Sequence, residues 1–231
     1  MPDLVELGRT LSVWFLPVVI AITFHEAAHG WMAEKLGDDT ARRLGRVTFN
    51  PIAHVDPFGT LVLPGLLLVF GAPFIFGWAK PVPVAFHRLR QPKRDMIWVA
   101  LAGPGINMLL AVASALLLHL AAGLPAPYGE WVGENLANAV LVNIVLAAFN
   151  MLPIPPLDGG RVLTGLLPLP LATRFARIER YGLLLLILVI FVLPMAAREL
   201  GYHVNPLAWV LLPVVGTLYD IVLAVSGWNI G

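Results

Sequence analysis

Cysteine is absent from the 231 residues, which excludes disulfides and thiolate metal ligands. Serine occurs three times, at Ser12, Ser114 and Ser226, and never within a Gly-x-Ser-x-Gly nucleophile turn. Charge is also scarce, at 13% of residues against about 25% in soluble domains. No hydrophilic stretch is long enough to fold as a separate soluble domain. The net charge of +1 gives no reason to expect a nucleic-acid partner. The N-terminus, MPDLVELGRT, lacks the basic start of a cleaved signal peptide, so the first apolar run is expected to stay. What the chain has in excess is apolar surface: 58% hydrophobic residues and a mean hydropathy of +0.82. These values predict one integral membrane domain over residues 1–231, with the lipid bilayer as its surroundings.

The run from Leu11 to Leu36, LSVWFLPVVIAITFHEAAHGWMAEKL, is long enough to cross a hydrocarbon core of about 30 Å as a helix. His25, Glu26 and His29 are set into it. An acidic residue near the middle of such a helix costs about 2.5–3.5 kcal/mol on insertion scales, so it implies a function. His25 and His29 are four apart and therefore share a helix face, about 6 Å apart along the axis. Two imidazoles so placed can both reach one zinc ion. Glu26 follows the first ligand, where it can act as general base without binding the metal. This is the HExxH arrangement of metal-assisted hydrolysis. A catalytic zinc usually takes three protein ligands, and Asp158 in P-I-P-P-L-D-G-G, just after an apolar helix, is the best remaining candidate.

Further along, Gly37 to Pro57 is a polar loop in which Arg46 to Phe49 is expected as a short strand. Gly59 to Gly77 is apolar but broken by Leu63–Gly65 and Gly71–Pro73, so it is either a poor crossing or a re-entrant hairpin. Trp78 to Val84 reads as extended chain because prolines 81 and 83 push their predecessors out of helical geometry. Asp95–Ala122 and Leu136–Leu152 are predicted helices, joined by a loop from Gly123 to Asn135; apolar runs Tyr181–Ala197 and Pro206–Gly227 complete the chain. If Gly59–Gly77 re-enters, 13 of the 15 basic residues fall on one face; if it crosses, the best share is 10. The positive-inside rule favours re-entry and a cytoplasmic basic face. The predicted fold is an all-α membrane protein: a polytopic bundle of five to six transmembrane helices, a re-entrant segment and short β-strands near the active site.

The chain resembles the site-2 proteases, intramembrane zinc metalloproteases. The matching residues are F-H-E-A-A-H-G around His25, and N-M-L-P-I-P-P-L-D-G-G at Asn150, Pro153, Pro155, Leu157, Asp158 and Gly159. A-G-P-G-I-N, with Gly103, Pro104 and Asn107, looks like the family's Gly-Pro helix start. The resemblance implies one Zn2+ per chain held by His25, His29 and Asp158, with Glu26 as base. It further implies cleavage of transmembrane protein substrates, the reaction of regulated intramembrane proteolysis. Asn150 would hold substrate near the metal, and Lys80, Pro81 and Val82 would pair with unwound substrate as an edge strand. Asn107 is a candidate support behind the metal ligands. The PDZ and CBS domains of many relatives are lacking, so the expected form is the short prokaryotic one, in the inner or plasma membrane. His54 and Asp56 are either supports for the ligands and a proton and water path, or Asp-Pro turn chemistry in an exposed loop. His87, His119 and His203 have no motif around them and are read as interfacial or packing residues. The competing readings are a metal permease, since intramembrane His and acids also mark ion paths, and a non-catalytic membrane scaffold.

Overall fold

A computed structural model describes residues 4–69 and 77–228. The first helix, α1 (Leu4–Lys35), carries Pro17 inside it. It stops at Gly37, whose φ of +113° lets the Asp38 N–H fold back onto the Ala33 carbonyl at 2.9 Å, a left-handed C-terminal turn that suits glycine. Helix α2 (Pro92–Ala121) opens on proline, and Asp95 in its first turn accepts the Gln91 N–H at 2.8 Å. Helix α3 (Tyr128–Asn150), the short α4 (Asp158–Leu166) and α5 (Pro206–Val225) follow. Between α4 and α5, residues Leu169–Tyr181 and Leu184–Glu199 form a helix pair bent by 67°.

Among the described residues four helices, α1, α2, α3 and α5, are long and apolar enough to cross a membrane, or five if the bent pair is one span, the lower end of the expected five to six. Helices α2, α3 and α5 share a core of Ala111, Ala115, Val140, Ile144 and Val222, and α1 packs against α2 and α3. Small buried residues (Ala21, Ala27, Ala33, Ala100) allow the close approach that membrane helices need when no water drives them together. Large apolar side chains such as Phe15, Leu109, Leu120, Trp209 and Leu212 face outward, as a lipid-facing surface requires.

Three expectations need correction. Among the described residues there is no β-strand: 47–49 are bends, because Arg46 turns inward and Phe49 stacks on Phe24, ring centroids 4.3 Å apart. The predicted loop before α3 is mostly helix, with Glu130 and Glu134 on its first turns and Glu134 paired to Arg9 of α1. A-G-P-G-I-N lies in the middle of α2 rather than at a helix start. Of the segment 59–77, residues 57–69 form a wide turn and a short helix, and 70–76 lie outside the described residues, as does that part of the re-entrant expectation. The two ends of the segment meet: the Trp78 N–H donates to the Gly59 carbonyl at 3.1 Å, and the Thr60 hydroxyl donates to the Trp78 carbonyl at 2.9 Å.

Candidate metal centre

On α1, the four-residue spacing brings the two imidazoles edge to face, with ring centroids 4.6 Å apart and Nε2 atoms 3.0 Å apart. The third member comes from far along the chain. After α3, the turn 151–157 reverses direction and delivers Asp158 as the first residue of α4, a position where the helix dipole favours a carboxylate. A Cβ on Gly159 would collide with the Met151 carbonyl, and one on Gly160 would lie 2.6 Å from the Pro155 nitrogen. These glycines therefore let α4 start directly against the turn. Asp158 Oδ2 ends 3.2 Å from His25 Nε2 and 3.3 Å from His29 Nε2, and all three side chains are buried.

The hydrogen bonds behind the rings decide what those atoms are. His29 Nδ1 lies 2.7 Å from the Val99 carbonyl, which can only accept. Nδ1 therefore carries the proton and Nε2 presents a lone pair. His25 Nδ1 likewise donates to Asn107 Oδ1 at 2.6 Å. Asp158 Oδ2 has no hydrogen-bond partner although it is buried. With Nδ1 carrying the proton of each neutral ring, two imidazole nitrogens and a carboxylate oxygen converge as acceptors, a donor set that suits a cation. Tetrahedral zinc with bonds of about 2.05 Å needs ligand atoms about 3.3 Å apart, and the observed 3.0–3.3 Å fits. Gly103 of α2 completes the cradle: a Cβ there would lie 2.6 Å from Cε1 of His25 and equally close to Cε1 of His29.

Glu26 does not point into the triad's hydrogen bonds. Its Oε2 accepts the Val82 N–H at 2.7 Å. Val82 belongs to an extended strap, 77–85, which runs beside α1 without pairing as a strand. The strap is tied at each step: the Lys80 N–H to the His54 carbonyl at 2.9 Å, the Lys80 carbonyl to Arg46 Nη2 at 2.7 Å, and the Ala85 N–H to Asp38 Oδ2 at 2.6 Å. The Val82 side chain is buried where a Cβ on Gly30 would lie 3.0 Å from it. Lys80 and Pro81 are exposed.

The remaining candidates lie apart from the triad. His54 is buried, with Nε2 on the Thr48 carbonyl at 3.1 Å. Asp56 caps the turn at Pro57, accepting the Phe58 and Gly59 N–H groups. At Asp56 the structure shows turn chemistry; at His54 it is the backbone carbonyl, not the imidazole, that holds the strap. Asn150 ends α3 with its Nδ2 on the Leu146 carbonyl at 3.0 Å. His119 bonds the Ser226 carbonyl at 2.9 Å and stacks on Trp228; His87 and His203 are exposed. Arg161, with Nη1 3.8 Å from Asp158 Oδ1, was not singled out by any motif. Nor was Asn143, buried behind Asn107.

Comparison with known proteins agrees with this chemistry. The family model "Peptidase family M50" matches residues 126–193. "Putative zinc metalloprotease YwhC" of Bacillus subtilis is 39% identical over 194 residues, covering 82% of this chain and 84% of its own. "Putative zinc metalloprotease Rip2" of Mycolicibacterium smegmatis is 29% identical over 172 residues, 74% of this chain and 64% of its own. "Putative zinc metalloprotease MJ0611" of Methanocaldococcus jannaschii is 33% identical over 141 residues, 61% of this chain and 63% of its own. No solved structure matches. With that likeness to YwhC spanning most of both chains, the protein belongs to peptidase family M50, the site-2 proteases, as an integral membrane zinc metalloprotease.

Proposed function

We propose that the chain hydrolyses peptide bonds in or near the transmembrane helices of membrane-protein substrates, with His25, His29 and Asp158 holding zinc and Glu26 as general base. The observation that carries this is the meeting of His25, His29 and Asp158, with ligand atoms all within 4.8 Å of one another, inside a bundle of helices long and apolar enough to cross a membrane. At 1.5 Å per residue, His25 and His29 lie about 9–15 Å in from the end of α1. Zinc, when bound there, supplies Lewis acidity that makes water nucleophilic near neutral pH.

The chain's own groups account for the rest. The Val82 N–H holds Glu26 Oε2, which leaves Oε1 to take a proton from the attacking water and pass it to the leaving amine. A substrate helix must unwind before its scissile bond is accessible, and in lipid its freed N–H and C=O groups need partners. The strap at Lys80, Pro81 and Val82 is extended backbone beside Glu26. Its Lys80 and Val82 N–H groups are held by the His54 carbonyl and Glu26, so pairing with substrate requires a substrate carbonyl to replace one of these acceptors. Asn150, at the end of α3 that leads to Asp158, is the second substrate contact. The bonded ends of the 59–78 segment support re-entry, and with it we read the basic loops as cytoplasmic by the positive-inside rule.

The test is Glu26→Gln in purified protein, assayed for zinc content and for cleavage of a model transmembrane peptide in bilayers. Zinc stays at one per chain and cleavage falls by about 10²–10⁴-fold, the weight of a general base. A glutamine variant that cleaves at the wild-type rate removes Glu26 from this role. Cleavage by the wild type also separates a protease from a permease or a scaffold.

A further inference from the structure

We propose that Asn143 of α3 is a positioning residue for the metal centre, acting through Asn107 to hold His25 in its ligating tautomer; the proposal rests on the zinc reading above. The chain of hydrogen bonds starts at a backbone carbonyl. Asn143 Nδ2 donates to the Ala139 carbonyl at 2.8 Å, which can only accept. That fixes which end of the Asn143 carboxamide is oxygen, and this oxygen accepts from Asn107 Nδ2 at 2.7 Å. A second carbonyl, that of Ala21 on α1, accepts from the same Asn107 Nδ2 at 3.2 Å. With both of its N–H groups directed at acceptors, Asn107 has only Oδ1 to offer His25 Nδ1, 2.6 Å away. Nδ1 must then be the protonated nitrogen, and Nε2 faces Asp158 with its lone pair.

Both carboxamides are buried, Asn107 at 0% and Asn143 at 2% exposure. Polar groups at such depth in membrane helices are costly and are retained for packing or for function. A pair serving only to join α2 to α3 would be complete with the bond between the two amides. Here every polar atom of Asn107 is used, and its oxygen is spent on a metal ligand. If the Asn107 carboxamide were reversed, its oxygen would face the Ala21 carbonyl and the Asn143 oxygen, two repulsions at once. Asn143 thus supplies the second acceptor that locks Asn107. Ligand supports of this kind change metal affinity or activity by about 10–100-fold when removed.

The experiment compares Asn143→Ala, which deletes the acceptor, with Asn143→Asp, which keeps an oxygen facing Asn107. Purified variants are checked for helical content and monodispersity, then titrated with zinc against a competing chelator and with Co2+ followed by its visible absorption. The alanine variant is expected to bind zinc about tenfold more weakly, with altered Co2+ bands and a lower kcat at nearly constant KM. The aspartate variant recovers zinc affinity to within about threefold of wild type. Equal zinc affinity in both variants, whether wild-type or weak, overturns the proposal. Should alanine not fold, Asn143→Leu, which also lacks the acceptor and fills the space, takes its place: weak zinc there beside retained zinc in the aspartate variant supports the relay, and equal affinity overturns it. His25→Ala in the same titration separates the two levels of argument. Unchanged zinc binding there removes the metal centre itself, whereas loss there with no effect at Asn143 removes only the relay.

Discussion

Adding one methyl group at Gly103 tests the metal centre without replacing any of its ligands. Helix propensity alone predicts that Gly103→Ala stabilises α2, by about 0.8–1.0 kcal/mol in a water-exposed helix. The cradle predicts the opposite. The new Cβ would stand 2.6 Å from Cε1 of both imidazoles, where carbon contacts normally begin at about 3.5 Å. Neither ring can retreat freely, because His25 is held by Asn107 at 2.6 Å and His29 by the Val99 carbonyl at 2.7 Å. Overpacking of this kind costs about 1–3 kcal/mol. If the metal geometry absorbs it, zinc binds about 5- to 150-fold more weakly, at 1.4 kcal/mol per tenfold. The assay is zinc competition with a chelator on detergent-purified protein, alongside helical content and peptide cleavage. Weaker zinc with unchanged helix content is the expected result. A folded Gly103→Ala protein with wild-type zinc affinity and cleavage would refute the cradle and the tightness inferred for the His25–His29–Asp158 triangle.

Other perturbations reach the strap and the metal separately. Arg46→Met removes the donor to the Lys80 carbonyl, a charge-assisted bond worth about 1.5–3 kcal/mol; KM for a transmembrane peptide rises and zinc content holds, as steady-state kinetics with metal analysis will show. Asp38 pins the strap through Ala85: burial alone would raise its pKa, but bonds from the Thr40 hydroxyl, the Ala85 and Thr40 N–H groups and the nearby Arg88 hold it below the ordinary 3.8. A lowered folded pKa means stability that is full above pH about 4 and lost as the pH falls through the folded value. Proteolysis of the strap should accelerate below that pH in the wild type, while Asp38→Asn should be cleaved faster than wild type at pH 6 and change little with acid. Stripping zinc with a chelator should abolish cleavage reversibly and leave circular dichroism nearly unchanged, since the cores around Ile144 and Leu186 do not involve the triad.

How far local sequence reaches is clear from particular residues. His25 and His29 share a face because helical periodicity is a property of neighbours in the chain, and α1 is helical because an apolar run in lipid must satisfy its own backbone. Asp158 was legible only through the residues around it, the prolines that end a helix and the glycines that admit a close turn. The extended chain at Trp78–Val84 forms no strand because its inward N–H groups go to Glu26 and the His54 carbonyl, and the short strand expected at 46–49 does not form because Arg46 turns to the strap and Phe49 to Phe24.

Composition and spacing by themselves determined that this is a membrane protein with two imidazoles and a neighbouring carboxylate at HExxH spacing on one helix, because those are short-range facts. Only the tertiary structure decided that Asp158 closes the triangle, that Gly103 leaves room for the rings, and that Asn107 and Asn143 choose the tautomer. Those features join residues 25, 103, 107, 143 and 158, and contacts at such separation arise from how helices pack rather than from the order of residues within any one of them.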